Sequence, residues 1–271
     1  AEKLAPEWVD PTVLRAEVAE EMSWHYFLPP FSDSSRHRAL LERALAHVER
    51  VLQREPENAA ALELRGILQY WLWLSGNQEG KAAGGDLLRR AERDLRRAVA
   101  ANEARARAWS TLSILLHLRG EFAQARIAAE RAYAADAYLD NVHEILTRLV
   151  DTSLEMGDRE EARRWCNEIH RRFSGRWFAA RCTLALLAWA DSAGSDAVDQ
   201  AWRAIRQVRR PEELVYARPW LEMAVATVLA KAGLRDSAEA VIRRARAAAA
   251  DPNLLELEAA ARLELGDEDS A

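Results

Sequence analysis

A glycine followed five residues later by an alanine recurs along this 271-residue chain, and no other feature constrains its fold as strongly. The interval occurs at Gly120–Ala125, Gly157–Ala162, Gly233–Ala238 and Gly266–Ala271. A glycine can end a helix in a left-handed turn, and a small residue on the next helix allows two helices to cross closely. The interval therefore predicts a series of antiparallel helix pairs.

Three further alanines, Ala44, Ala91 and Ala201, align with the alanine of this interval, and the aligned alanines are then 33 to 47 residues apart. A period of this length is typical of helical-repeat proteins. It predicts about six helix pairs plus a C-terminal helix in a single domain over 1–271. The predicted parts are an irregular N-terminal pair at 1–55, a pair at 56–101 with a Gly-rich connector at 75–86, four pairs at 102–251 and a terminal helix at 252–271.

The sharpest segment runs from Ala106 to Ala132 and resembles a tetratricopeptide repeat. Trp109, Leu112 and Gly120 precede Ala125 at the spacing of that family. The resemblance implies an all-α, right-handed superhelical solenoid of antiparallel helix pairs. It also implies a concave wall, built from the first helix of each pair, that binds a protein or peptide.

Two short stretches, 5–11 and 59–66, are similar to repeat regions of large bacterial signalling proteins such as eukaryotic-like serine/threonine kinases. The chain itself carries no kinase motif, since it lacks the His-Arg-Asp and Asp-Phe-Gly sequences. The resemblance implies a docking or regulatory region of a larger bacterial signalling protein.

Charge and hydropathy exclude two classes of partner. The formal net charge of −5 gives no basic excess, so we expect no nucleic-acid binding. No apolar run is long enough to cross a bilayer, so we expect no membrane insertion and a cytoplasmic protein. Cys166 and Cys182 are too few for a disulfide scaffold and are consistent with a reducing compartment. Their apolar helical context favours small buried hydrophobic residues over reactive thiols.

The chain contains only partial matches to motifs for catalysis or metal binding. The stretch Gly76–Lys81 is shorter than a phosphate-binding loop, has no following Ser or Thr, and comes after a predicted helix. His143 and Glu144 start like a zinc-protease helix, but no second His follows at the required spacing. We therefore expect no enzyme, no cofactor and no metal site.

The candidate binding residues lie on the predicted first helices. The aromatic run Tyr70–Leu74 cannot place every side chain on one buried stripe, because successive helical residues point about 100° apart. Either the connector after it covers the excess, or one aromatic side chain lines a groove. Lys occurs at only three positions, so the carboxylate clamp of some tetratricopeptide proteins is not supported. The predicted contact residues are Tyr70, Trp71, Trp73, Arg107, His117, Asn141, Glu144 and Arg148.

These observations predict a non-catalytic scaffold or regulatory module that binds a protein or peptide. The alternative is a self-assembly module that forms a homodimer or larger homo-oligomer through the exposed helices at its ends.

Overall fold

The computed structural model describes residues 9–26, 33–78, 85–138, 141–249 and 254–267. This part of the chain is all-α, with thirteen helices and no strand. The helices are α1 Asp10–Trp24, α2 Ser34–Arg54, α3 Ala59–Gln78, α4 Gly85–Ala101, α5 Ala106–Leu118, α6 Phe122–Ala135, α7 Val142–Glu155, α8 Arg159–Phe173, α9 Trp177–Ala188, α10 Ser195–Arg206, α11 Pro211–Lys231, α12 Arg235–Ala248 and α13 Leu254–Glu264. The predicted succession of six helix pairs and a final helix is confirmed.

The chain divides into two compact units, residues 1–145 and 146–271. In the first unit, α1 packs on α2, α3 on α4 and α5 on α6, and α2 and α4 each also contact the helix that follows. The first helices of successive pairs are neighbours, since α3 contacts both α1 and α5. In the second unit, α9 packs on α8, α10 and α11, and α11 packs on α12 and α13.

The alanines of the predicted register occupy the helix crossings. Six of them lie on second helices and are completely buried, with 0% of their surface exposed. A methyl group at each crossing lets the paired helices approach closely without leaving a void. The seventh, Ala271, lies outside the described residues. The buried set is Ala44, Ala91, Ala125, Ala162, Ala201 and Ala238.

The glycines of the interval form the predicted left-handed turns, with φ angles of 71° to 74°. At the end of α5, the backbone N–H of Glu121 donates to the carbonyl of Leu116 at 2.9 Å, and that of Gly120 donates to His117 at 2.9 Å. This is the Schellman arrangement, which satisfies carbonyls that a helix end would otherwise leave unpaired. The turn therefore reverses the chain into the second helix without losing backbone hydrogen bonds.

A different glycine sets the spacing of the second pair. Gly66 lies in the middle of α3, where a Cβ atom would sit 2.6 Å from Cγ of Leu95 on α4. That separation is below van der Waals contact, so any larger residue at this crossing would have to displace Leu95.

The two cysteines correct one expectation. Cys166 on α8 and Cys182 on α9 form a disulfide, with their Cα atoms 5.6 Å apart, so they are not free buried thiols. The antiparallel packing of α8 on α9 brings together positions that are 16 residues apart in sequence. The disulfide removes the support that unpaired cysteines gave to a reducing compartment. Among the described residues, no helix is both long and apolar enough to cross a membrane.

Candidate functional site

The candidate site lies on the first helices of the first unit. We call the neighbouring helices α1, α3 and α5 the first-helix wall. Five of the eight predicted contact residues lie on it: Tyr70, Trp71 and Trp73 on α3, and Arg107 and His117 on α5.

Four aromatic side chains form a cluster on this wall: Trp24 from α1, and Tyr70, Trp71 and Trp73 from α3. The ring centroids of Trp24 and Trp71 are 4.2 Å apart in a T-shaped contact. Tyr70 lies 4.9 Å from Trp71 and 6.1 Å from Trp73. Tyr70 is buried, with 8% of its surface exposed, whereas the three tryptophans are only partly buried. Tyr70 is therefore a core residue, and the indoles retain surface that a partner can contact.

From the sequence, one alternative is that the connector after α3 covers those side chains of the Tyr70–Leu74 run that the core does not bury. The central part of that connector, 79–84, lies outside the described residues. The partial exposure of Trp71 and Trp73 is compatible with the groove alternative.

Next to the aromatic cluster, a carboxylate on α1 meets a guanidinium on α5. Nη2 of Arg107 donates to Oε2 of Glu20 at 2.6 Å, and Nε1 of Trp24 donates to Oε1 of Glu20 at 3.4 Å. Glu20 is almost fully buried, whereas 34% of the Arg107 side chain remains exposed. Burial by itself would lower the pKa of Arg107, but Glu20 and Glu63 raise it above its usual value. Arg107 is thus a fixed, permanently charged donor at the edge of the wall.

A second buried carboxylate joins α3 to the start of α5. Oε1 of Glu63 accepts the backbone N–H of Ala108 at 2.8 Å, and Oε2 accepts from Nη1 of Arg105 at 3.3 Å. Burial raises the pKa of the Glu63 carboxyl above its ordinary value, and Arg105 opposes that shift. This contact holds the first turn of α5 against α3.

The remaining predicted residues are positioned by local partners. The ring of His117 packs edge-to-face on Phe122, with centroids 5.2 Å apart. Nδ2 of Asn141 donates to Oγ of Ser110 at 3.5 Å and to Oε2 of Glu144 at 3.3 Å. These residues belong to the first unit.

Arg148 belongs to the second unit, where it lies 3.9 Å from Asp151. Arg181 on α9 makes the closer contact to the same carboxylate, at 3.0 Å. Arg148 is therefore described apart from the first-helix wall.

The sequence reasoning missed Glu20 and Trp24. The sequence could have indicated Glu20, because this residue follows Ala16 by one helical turn and so lies on the buried stripe of α1. A carboxylate on an apolar stripe indicates a buried partner. Trp24 gave no comparable signal, since it ends the helix of the least regular pair.

The second unit contains a separate cluster of metal-ligating side chains. One ligand atom from each of Cys166, His170 and Cys182 lies within 4.8 Å of the other two. Nε2 of His170 is 2.9 Å from Oγ1 of Thr183, and burial lowers the pKa of the imidazole. The sequence did not predict this cluster because its members come from two helices with no motif spacing.

Comparison with known proteins identifies the fold. No protein-family model matches the chain, and no curated protein matches it. The structure of Pseudomonas aeruginosa PilF is similar at 15% identity and a TM-score of 0.55, covering 96% of this chain and 99% of PilF. PilW, described as a widely conserved type IV pilus biogenesis factor, is 15% identical with a TM-score of 0.53, covering 86% of this chain and 92% of PilW.

A chain of the Cut9–Hcn1 hetero-tetramer of APC/C is 16% identical with a TM-score of 0.58, covering 94% of this chain and 48% of that one. All three neighbours are tetratricopeptide-containing proteins. The kinase setting stays a prediction. At these identities the likeness shows the fold, and the fold of this chain is of the tetratricopeptide type.

Proposed function

We propose that the chain is a non-catalytic protein- or peptide-binding module and that the first-helix wall receives the partner. One observation carries this proposal: a continuous line of contacts runs from the indole of Trp71 through Trp24 and Glu20 to the guanidinium of Arg107. The tryptophans and Arg107 keep part of their surface exposed. Trp and Arg are the residue types that dominate binding energy at protein interfaces.

The chemistry of this line favours a partner segment with two features. An apolar or aromatic side chain would pack on Trp71 and Trp73, and a nearby carboxylate would accept a hydrogen bond from Arg107. His117, Asn141 and Glu144 extend the proposed surface in the first unit. Arg148 stays a proposed contact in the second unit.

Peptide display on the purified chain tests this function. We expect selection from a random peptide library to enrich segments that pair an aromatic residue with an acidic one. Their affinity should fall about tenfold or more in Trp73→Ala, because loss of an interface anchor costs about 1–2 kcal/mol or more.

Trp189→Ala is the matched control, because Trp189 is an exposed tryptophan of the second unit. Circular dichroism of each variant establishes that the helices remain. Enriched peptides that bind Trp73→Ala as tightly as the unchanged chain would contradict the proposal.

Self-assembly is the second candidate, and an exposed stripe on α1 favours it. Leu14, Val18 and Met22 follow one another at four-residue spacing and all three side chains are exposed. An apolar stripe at helical spacing is the pattern that helices bury against a neighbour.

Light scattering over a range of concentrations tests this candidate. A dimer that dissociates in Val18→Glu, and not in the control Arg15→Glu on the same helix, would support it. A monomer at every concentration would remove it.

A further inference from the structure

Three metal-ligating side chains converge in the second unit on the facing sides of α8 and α9. Cys166 and His170 are four residues apart on α8, so their side chains lie one helical turn apart on the same face. Cys182 reaches the same point from α9, and the three ligand atoms lie within 4.8 Å of one another. Two sulfurs and one imidazole nitrogen form a ligand set that zinc uses in proteins.

The hydrogen bonds of Thr183 orient the imidazole for this role. Oγ1 of Thr183 donates to the carbonyl of Ala179 at 3.2 Å, so its lone pair is left to accept Nε2–H of His170 at 2.9 Å. The tautomer with its proton on Nε2 fits this pattern, and in that tautomer Nδ1 carries the lone pair for a metal. Ligating histidines in metalloproteins are held in the same way, by an outer partner that takes the second ring N–H.

A cavity of about 340 Å³ borders the cluster on its His170 side, where both His170 and Thr183 line it. It can supply a water molecule for a fourth coordination position. Arg176, Arg206 and Arg209 also line the cavity. Two thiolates neutralise the charge of a divalent metal, so the bound metal leaves no net positive charge for these arginines to repel. Arg side chains near a thiol also favour its thiolate form.

We propose that reduction of the Cys166–Cys182 disulfide converts this cluster into a Zn²⁺ site made of the two thiolates, the His170 imidazole and water. A dithiol reductant supplies two electrons and two protons, and is itself oxidised to a disulfide as the S–S bond breaks. Zn²⁺ then displaces the two thiol protons to the solvent and binds both sulfurs. The disulfide and the metal are mutually exclusive, so α8 and α9 are linked by a covalent bond in one state and by the metal in the other.

Cobalt substitution in the reduced chain tests the site. We expect one equivalent of Co²⁺ to give a thiolate-to-cobalt charge-transfer band together with the visible bands of a tetrahedral complex, and Zn²⁺ to abolish both. The oxidised chain should give neither. Cys182→Ser should weaken the charge-transfer band, because only the Cys166 thiolate remains, and His170→Gln should lower Co²⁺ affinity about tenfold or more. His47→Gln is the matched control, because His47 lies on α2 in the other unit.

A thermal melt of the reduced chain provides a readout independent of colour. Zn²⁺ should raise the melting temperature of the reduced chain by more than it raises that of reduced His170→Gln, because a metal stabilises the folded state in proportion to how tightly it binds. The proposal is overturned if the reduced protein gives no charge-transfer band with Co²⁺, or if His170→Gln binds Co²⁺ as tightly as the unchanged chain. It is also overturned if reduction unfolds the second unit and Zn²⁺ does not restore it.

Discussion

Glu20 and Arg107 form an ion pair of 2.6 Å although 87 residues separate them in the sequence. Their helices, α1 and α5, belong to the first and third pairs, and α3 lies between those pairs in the chain and contacts both helices. In most repeat arrays each repeat contacts only its neighbours. The ion pair of Glu20 and Arg107 therefore adds a direct link between helix pairs that are not adjacent.

Removing one partner of this pair should destabilise the first unit. We expect Arg107→Ala to lower the free energy of unfolding by about 2–3 kcal/mol, because it leaves the buried Glu20 carboxylate without its cation. This is less than the loss for a wholly buried pair because Arg107 is one-third exposed. Urea denaturation measures the change.

Arg243→Ala is the control for that experiment, since its partner Glu239 and Arg243 itself are exposed. It should cost under about 1 kcal/mol. Equal losses in the two variants would mean that burial of Glu20 has no energetic consequence.

A methyl group at Gly66 should force α3 and α4 apart. We expect Gly66→Ala to lower the free energy of unfolding by about 1–3 kcal/mol, because the new Cβ would lie 2.6 Å from Cγ of Leu95. Gly85→Ala is the matched control, where the new Cβ would meet only the end of the Arg89 side chain. That change should be neutral or slightly stabilising, because alanine favours helix over glycine. Thermal melts that rank Gly85→Ala as the more damaging change would refute this account of the crossing.

The raised pKa of Glu63 predicts a pH dependence with a definite sign. Between the ordinary pKa of a glutamate and the raised pKa of Glu63, the folded chain binds more protons than the unfolded chain. The contribution of Glu63 to stability is therefore present at low pH and is lost as the pH rises through the raised pKa.

The measurement compares unfolding free energies of the unchanged chain and Glu63→Gln between about pH 4 and pH 7. We expect the stability of the unchanged chain relative to Glu63→Gln to fall as the pH rises. Glu256→Gln, which removes an exposed carboxyl, reports the effect of net charge alone. If the stability of the unchanged chain relative to Glu63→Gln increases with pH, ion pairing, and not burial, dominates the pKa of Glu63.

The disulfide should stabilise the second unit. Its two cysteines are 16 residues apart, and closing a loop of that size contributes about 3 kcal/mol in the chain-entropy model. Denaturation of Cys166→Ala/Cys182→Ala in metal-free buffer should show a loss of that order. Adding a reductant should destabilise the unchanged chain by a similar amount and leave the double variant unaffected. If the reductant destabilises the unchanged chain and the double variant equally, its effect does not come from the disulfide.

The parts of the fold that the sequence predicted are those encoded locally. Gly120 and Ala125 are five residues apart, so a turn and the crossing beside it are specified within one short segment. The ion pair of Glu20 with Arg107 and the disulfide of Cys166 with Cys182 depend on how helices rotate and pack against each other. No spacing in the sequence records that rotation, which is why these contacts appear only in the structure.

The same distinction applies to the candidate site. The sequence predicted Trp71 and Trp73 as surface candidates because five successive residues of a helix cannot share one buried stripe. It placed Tyr70 with them, and the structure shows Tyr70 to be largely buried. The direction of each ring depends on Trp24, which comes from another helix.

The buried alanines have a consequence for insertions and deletions. Each alanine fixes one helix crossing, whereas successive alanines of this buried set are 34 to 47 residues apart. Length changes therefore fall in the connections between helices, where a longer loop adds little entropic cost. The chain should accept added residues in its loops far more readily than one added carbon at any of these six positions.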